Sequence, residues 1–304
     1  MKQTGFLLLL LSGMALAACS SDDDESVESS NGRKLRQLTI AEVPVTKDAP
    51  TSKKVKITDN SSSLDASWTK EDKATYFNVS SFSSVTIDYG RLTAASSTST
   101  SMFQGSVNCK TGDRVALLYP AKNPILSGKD RGKFTISLSG QKGTLEDIEE
   151  HFHYVYGVAE VTSVTDQTAT ATIDNMQSLL AVCKFSFTDG SETIPVESLT
   201  INYYDNKLAD LVGYSLTAML TPTADVSSLA LEYAKQETWD ETPLSVTLKK
   251  ETSDGVYVAL FPYSPTGYMH FTVTDSLGTT YTGMAKASLK AGRYYPATMK
   301  LTKQ

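Results

Sequence analysis

The 304-residue chain is poor in the residue types that most often carry chemistry. It has 3 cysteines, 3 histidines and 2 tryptophans. The histidines are His151, His153 and His270, and only the first two stand close together. No third cluster of ligands accompanies that pair, so a surface or strand-edge pair is expected there, not a metal centre. No glycine-rich loop follows a strand to cradle phosphate, no G-x-S-x-G elbow presents a nucleophile, and no alternating-aspartate calcium loop occurs. Ser67-Trp68-Thr69-Lys70 has a Ser-x-x-Lys spacing, but the Ser-Asp-Asn element that accompanies such a nucleophile is absent. The expectation is a protein without cofactor or metal, and not an enzyme. Basic residues are also scarce: 28 Lys and Arg face 34 Asp and Glu, a formal charge of −6. With no basic stripe to neutralise phosphates, nucleic acid is excluded as a partner.

Long hydrophobic runs are missing with one exception. After Met1-Lys2-Gln3 comes Phe6 to Leu11, continuing through Met14 and Leu16. This run has the length of a signal-peptide core and is too short to cross a bilayer as a helix. It ends in Leu16-Ala17-Ala18-Cys19. Small residues suit cleavage, and a cysteine at the cut site can take a diacylglycerol on its thiol and a third acyl chain on its new amine. Several chains anchor stably where one binds only marginally. Residues 1–18 are therefore read as a signal peptide and Cys19 as the lipidation site, with outer-membrane lipid as its partner. Ser20-Ser21-Asp22-Asp23-Asp24-Glu25 is an acidic run of the kind that forms a solvated tether, and residues 19–34 are assigned to it.

With Cys19 committed, Cys109 and Cys183 remain. An exported chain permits a bridge between them. Cys183 alternates with Ala181, Phe185 and Phe187, which instead reads as a small core hydrophobe.

The abundant signal is period-2 alternation in short segments rich in Val, Thr, Tyr, Phe and Ser. It predicts strands at 55–57, 84–89, 114–119, 133–138, 153–161, 168–173, 181–187, 198–204, 227–233, 244–249, 255–261, 267–274, 279–285 and 294–301. Turn residues such as Asp189-Gly190-Ser191 and Asp275-Ser276-Leu277-Gly278 separate them. Many short strands at this spacing read as β-sandwiches. One helix of about two turns is expected, capped by Thr144, with Asp147 behind it and Leu145, Ile148 and Phe152 on one face. Leu208–Leu220 reads as a loop or a short helix. Arg114 to Pro120 and Val256 to Pro262 echo each other as β-rich strands stopped by proline. Two domains follow, 35–175 and 176–304. Trp68 and Trp239 are candidate stacking platforms for sugar rings, against the alternative that each packs in a core.

Several stretches together resemble the fimbrillin family of Bacteroidota surface lipoproteins. They are the cysteine with its acidic follow-on and Ala66-Ser67-Trp68-Thr69-Lys70-Glu71-Asp72. The strand into Tyr119-Pro120, Gln141-Lys142-Gly143-Thr144-Leu145-Glu146-Asp147-Ile148, and Ser178 to Phe185 join them. At the C-terminus, Phe271 to Asp275 leads through Gly278-Thr279-Thr280-Tyr281 to Leu289-Lys290-Ala291-Gly292-Arg293-Tyr294-Tyr295. Glu71 departs from the pattern, since a glycine often precedes the aspartate there. The resemblance implies two tandem transthyretin-like β-sandwiches and a fimbrial subunit or surface adhesin. Its partners would be other fimbrial subunits, or a host or bacterial surface glycan or protein. It also implies cleavage after an arginine, removing the leader and an early strand, so that another subunit's strand fills the groove. Arg33 and Arg36 are the candidate cut sites, just before the alternating Leu38–Val45 segment. Without a cut the chain stays tethered as an anchor or stand-alone adhesin. A glycan-binding lipoprotein serving polysaccharide uptake is the alternative.

Overall fold

The computed structural model describes residues 32–44, 56–59, 63–204, 216–233 and 243–304. The signal peptide, Cys19, the acidic run and Trp239 lie outside the described residues. Through the first half run β1 (Lys34–Pro44), β2 (Lys56–Asp59), β3 (Leu64–Ser67), β4 (Lys73–Asn78), β5 (Tyr89–Ala94), β6 (Thr100–Cys109), β7 (Arg114–Tyr119), β8 (Phe134–Ser137), β9 (Val155–Val164) and β10 (Thr168–Ser178). The second half holds β11 (Ala181–Thr188), β12 (Val196–Tyr204), β13 (Thr217–Leu220), β14 (Leu231–Tyr233), β15 (Leu244–Thr252), β16 (Val256–Leu260), β17 (Tyr263–Thr274), β18 (Thr280–Leu289), β19 (Tyr294–Lys300) and β20 (Thr302–Lys303). Among the described residues the chain is all-β with one short α-helix, in line with the predicted fold class.

Seven strands of the first half close on themselves in the order β1-β10-β9-β7-β4-β5-β6. Closure removes free edges, the part of a sheet most prone to unwanted pairing. The interior is filled by Leu38, Ile40, Trp68, Leu92, Phe103, Leu117 and their neighbours. β7 is buried on both faces: Val115, Leu117 and Tyr119 point inward, while Ala116 and Leu118 point outward into a second core. That is why its sequence is a nearly unbroken apolar run. The second core joins Phe77, Leu118 and Tyr156 on the outside of the barrel to Val182, Phe185 and Phe261 of the second half. The halves are tied further by β8, which pairs antiparallel with β13 from Phe134↔Leu220 to Thr217↔Ser137. In the second half a three-stranded sheet, β16-β11-β19, and a five-stranded one, β15-β12-β17-β18-β20, supply inner-face residues to the same core. There Phe185 and Phe187 meet Phe271 edge-on, with centroids 5.0 and 5.8 Å apart.

The helix forms where the capping pattern predicts it. Thr144 Oγ1 accepts from the Asp147 amide at 3.1 Å, and α1 (Leu145–Asp147) continues into a π turn, Ile148–Phe152. The preceding motif fastens it to β16. The buried Gln141 side chain pairs with both backbone groups of Ala259, donating at 2.8 Å and accepting at 2.7 Å. The Gly143 carbonyl accepts from the Tyr257 amide at 2.9 Å. Gly143 sits at φ +77°, and a Cβ there would lie 2.8 Å from Val256 and 2.9 Å from Val246, so only glycine fits.

Several expectations are corrected. Residues 84–88 form no strand; Asn78 folds back to accept from the Ser80 amide, Ser83 closes a turn, and pairing resumes at Tyr89. Only Leu231–Tyr233 of the 227–233 segment is extended, because Asp225 caps a 3-10 turn at Val226–Ser228. The described end of Leu208–Leu220 is strand β13, not helix. β10 runs on to Ser178, paired with Val155, beyond the expected division at 175. The reading of Cys183 as a small core hydrophobe holds, since Cys109 and Cys183 are both free and buried. Each packs in a different core, so no bridge joins them.

Candidate functional site: the first strand and its clamps

Three of the residues singled out in the sequence, Arg33, Arg36 and Trp68, converge on one element, β1. This strand lies between two partners. It runs parallel to β10 from Gln37↔Thr168 to Ile40↔Ala171, and antiparallel to β6 from Lys34↔Cys109 to Pro44↔Thr100. Leu38, Ile40 and Val43 are completely buried. A bulge between Ile40 and Val43, with Glu42 at φ +52°, shifts the alternation so that Val43 still faces inward.

The head of the strand is held by arginines. The Arg33 guanidinium forms a two-pronged pair with Asp113, with Nε to Oδ2 and Nη2 to Oδ1 both at 2.7 Å. Its Nη2 also donates to the Ser80 carbonyl at 3.0 Å. Asp113 further accepts from Asn78 Nδ2 at 3.0 Å and the Lys110 amide at 3.2 Å. Burial by itself would favour the neutral acid. The hydrogen bonds from Arg33, Asn78 and Lys110 outweigh it and hold the Asp113 pKa below the usual carboxylate range. Two residues on, Arg36 turns inward and donates to carbonyls: Thr165 at 2.5 Å, Lys34 at 3.3 Å, and Cys109. Both candidate cut sites are therefore engaged in the folded chain. A protease must break these side-chain bonds to reach either guanidinium, and Arg33 lies just ahead of the paired strand while Arg36 lies within it.

The tail of the strand is held by Trp68. Its Nε1 donates to the Val43 carbonyl at 2.9 Å, and its ring meets Phe103 and Tyr119 edge-on at 4.9 and 5.3 Å. Trp68 is 0% exposed, so its proposed stacking against a sugar ring is corrected: the indole belongs to the barrel core. The following residues form a tight turn in which Asp72 accepts from the Thr69 amide at 2.7 Å. Glu71 occupies φ +77° in that turn, a conformation that favours glycine. An L side chain there is strained by roughly 1 kcal/mol. Glu71→Gly is expected to stabilise the protein by about 0.5–1 kcal/mol, read as a raised urea midpoint; a lowered midpoint would show that the side chain is needed.

Neither histidine of the close pair joins a ligand set. His151 is half-exposed and lies 3.3 Å from Asp147. His153 is 4% exposed and makes no hydrogen bond from either ring nitrogen among the described residues. Its ring lies 6.2 Å from that of Tyr119, and burial pushes its pKa down to about 3. Among the described residues no three His, Cys, Asp or Glu side chains are grouped to hold a metal ion. No described helix is long and apolar enough to cross a membrane.

The alternation and the motifs around Trp68 and Arg33 were legible as isolated signals. What sequence reasoning missed is Asp113, the residue that makes Arg33 structural. Thr111-Gly112-Asp113 has the composition of a turn, but nothing local shows which strand end it faces.

No family model matches the sequence, and no curated protein matches it. Solved structures do resemble it. A candidate cell adhesion protein from Bacteroides eggerthii is 12% identical, covers 88% of this chain and 86% of its own, with a TM-score of 0.43. A tip fimbrial protein from Porphyromonas gingivalis is 8% identical, covers 89% and 98%, with a TM-score of 0.41. A candidate cell adhesion protein from Bacteroides fragilis is 12% identical, covers 88% and 97%, with a TM-score of 0.37. These are distant likenesses.

Proposed function

We propose that this chain is a lipid-tethered surface protein of the fimbrial-subunit and adhesin kind, anchored through Cys19, which keeps its own first strand and acts as an anchor or stand-alone adhesin. The observation that carries this reading is the place of β1 relative to the arginines. Arg33 precedes the strand and Arg36 lies near its start. Cleavage at either leaves Leu38, Ile40 and Val43 attached to the barrel. The next arginine in the chain is Arg91, in β5. Arginine-specific trimming in front of the folded barrel thus frees β1 from the leader without removing it. The slot between β6 and β10 stays filled in cis, and a strand from another subunit finds no vacancy to augment. The charge of −6 and the burial of Trp68 fit contacts made by sheet faces and loops.

The test is treatment of the full-length protein with an arginine-specific protease, followed by electrophoresis without boiling. The expected product is a monomer trimmed at its N-terminus. SDS-resistant ladders would show strand exchange between subunits and overturn the proposed role.

A further inference from the structure

The exposed apolar residues of the barrel are concentrated where the tether enters it. Leu35 at the head of β1 is 69% exposed, Phe82 44%, Val85 86% and Leu126 56%. The contacts place them at one end. Arg33 donates to the Ser80 carbonyl, and Ser80 Oγ accepts from the Arg114 amide. The turn carrying Phe82 and Val85 projects directly beyond Ser80. The loop with Leu126 lies alongside: Arg131 donates to the Ser83 carbonyl at 2.8 Å, and its guanidinium stands 5.9 Å from the Phe82 ring. Gly132, bonded to the Ile125 carbonyl, packs beneath that ring.

The same rim is basic, in a chain whose charge is −6. Lys34, Lys110, Lys129 and Arg131 surround the apolar tips. The acids nearby are mostly committed: Asp113 to Arg33, and Asp130 to Lys133 at 3.3 Å. Asp166 lies 3.6 Å from Lys34 and stays largely in water.

We propose that this end of the barrel docks onto the lipid leaflet that holds the anchor, with Leu35, Phe82, Val85 and Leu126 entering the headgroup layer and the four cations meeting anionic headgroups. The inference builds on the Cys19 anchor. Residues 20–32 separate Cys19 from Arg33, and fully extended they reach about 45 Å. The leaflet is therefore held within reach of this apolar and basic end of the barrel. Interfacial binding grows with buried apolar area and with attraction to anionic lipid, and tethering turns a weak contact into a frequent one. Docking would fix the orientation of the molecule on the leaflet.

The test uses the chain from Cys19 to Gln304 made without its leader, which is unlipidated and retains every described residue. It is floated with vesicles of pure phosphatidylcholine and with vesicles containing phosphatidylglycerol. Flotation is expected with the anionic vesicles. Val85→Asp is expected to weaken it about tenfold, in line with the worth of one apolar side chain withdrawn from water. Leu277→Asp, at an equally exposed residue (90%) in the β17–β18 turn, should change nothing. No flotation, or equal flotation of the wild type and Val85→Asp, overturns the proposal. So does a dimer in light scattering that Val85→Asp dissolves, since a second copy would then cover the patch. The lipidated chain is floated in parallel with the pure phosphatidylcholine vesicles: its failure to float there would remove the Cys19 anchor while leaving the result with the anionic vesicles intact.

Discussion

Trp68→Ala is expected to destabilise the protein by about 3–5 kcal/mol, the range for emptying a large aromatic site in a closed core. The indole fills the barrel beside Phe103 and Tyr119, and its N–H satisfies the Val43 carbonyl. The alanine variant loses the packing and leaves that carbonyl unpaired, a further penalty of about 1–3 kcal/mol if water does not enter. Trp68→Phe separates the two effects, since it keeps most of the volume and loses only the donor. Chemical denaturation gives the sizes, and hydrogen exchange gives the location: the β1 amides should lose protection first. Uniform loss of protection across both halves would show that Trp68 supports the whole molecule and not the strand.

Acidification below pH 6.5 is expected to destabilise the protein through His153. In the unfolded chain this histidine has a pKa near 6.5. In the folded chain burial holds it down to about 3. Between those values the unfolded state binds a proton that the native state does not. Stability is therefore complete above about pH 6.5 and falls by about 1.4 kcal/mol per unit as the pH drops toward 3. The loss at pH 5 is on the order of 2 kcal/mol. His270 is shifted down by burial as well and adds in the same direction. Asp113, with its lowered pKa, adds only once the pH passes below the usual carboxylate value. His153→Phe is expected to flatten the slope between pH 7.5 and 5 in denaturant titrations. An unchanged slope in that variant would assign the effect to other groups.

Strand character was readable wherever inward positions were large and apolar. β7 occupies the predicted residues 114–119, and β11 extends its prediction, 181–187, by one residue. β6 escaped because its inward positions are Ser101, Phe103, Gly105, Val107 and Cys109. Two small or polar residues interrupt the period. Gly105 is required there: a Cβ would lie 2.5 Å from the Arg91 carbonyl oxygen. The 84–89 prediction failed for the opposite reason, since β-branched residues in a loop imitate a strand. Period 2 also names strands without naming partners. Neither the pairing of β8 with β13 nor the core shared between the halves follows from alternation, because β8 and β13 lie about 80 residues apart and the core draws on residues from both halves of the chain. The same limit applies to the candidate site. Arg33, Arg36 and Trp68 each stood out, but their common purpose, holding β1, depends on Asp113, Cys109, Thr165 and Val43.

The parallel pairing of β1 with β10 has a bearing on when the barrel can close. β1 opens its half of the chain and its parallel partner closes it: residues 37–40 wait for residues 168–171. Such distant contacts are formed late and slowly, because the long intervening chain must be ordered first. The parallel seam between β1 and β10 therefore stays open until the end of the first half has formed. Seams sealed at the end of folding also act chiefly on how fast the finished protein comes apart. The bonds made by Arg33, Arg36 and Trp68 should accordingly govern how long the folded protein lasts more than how fast it forms.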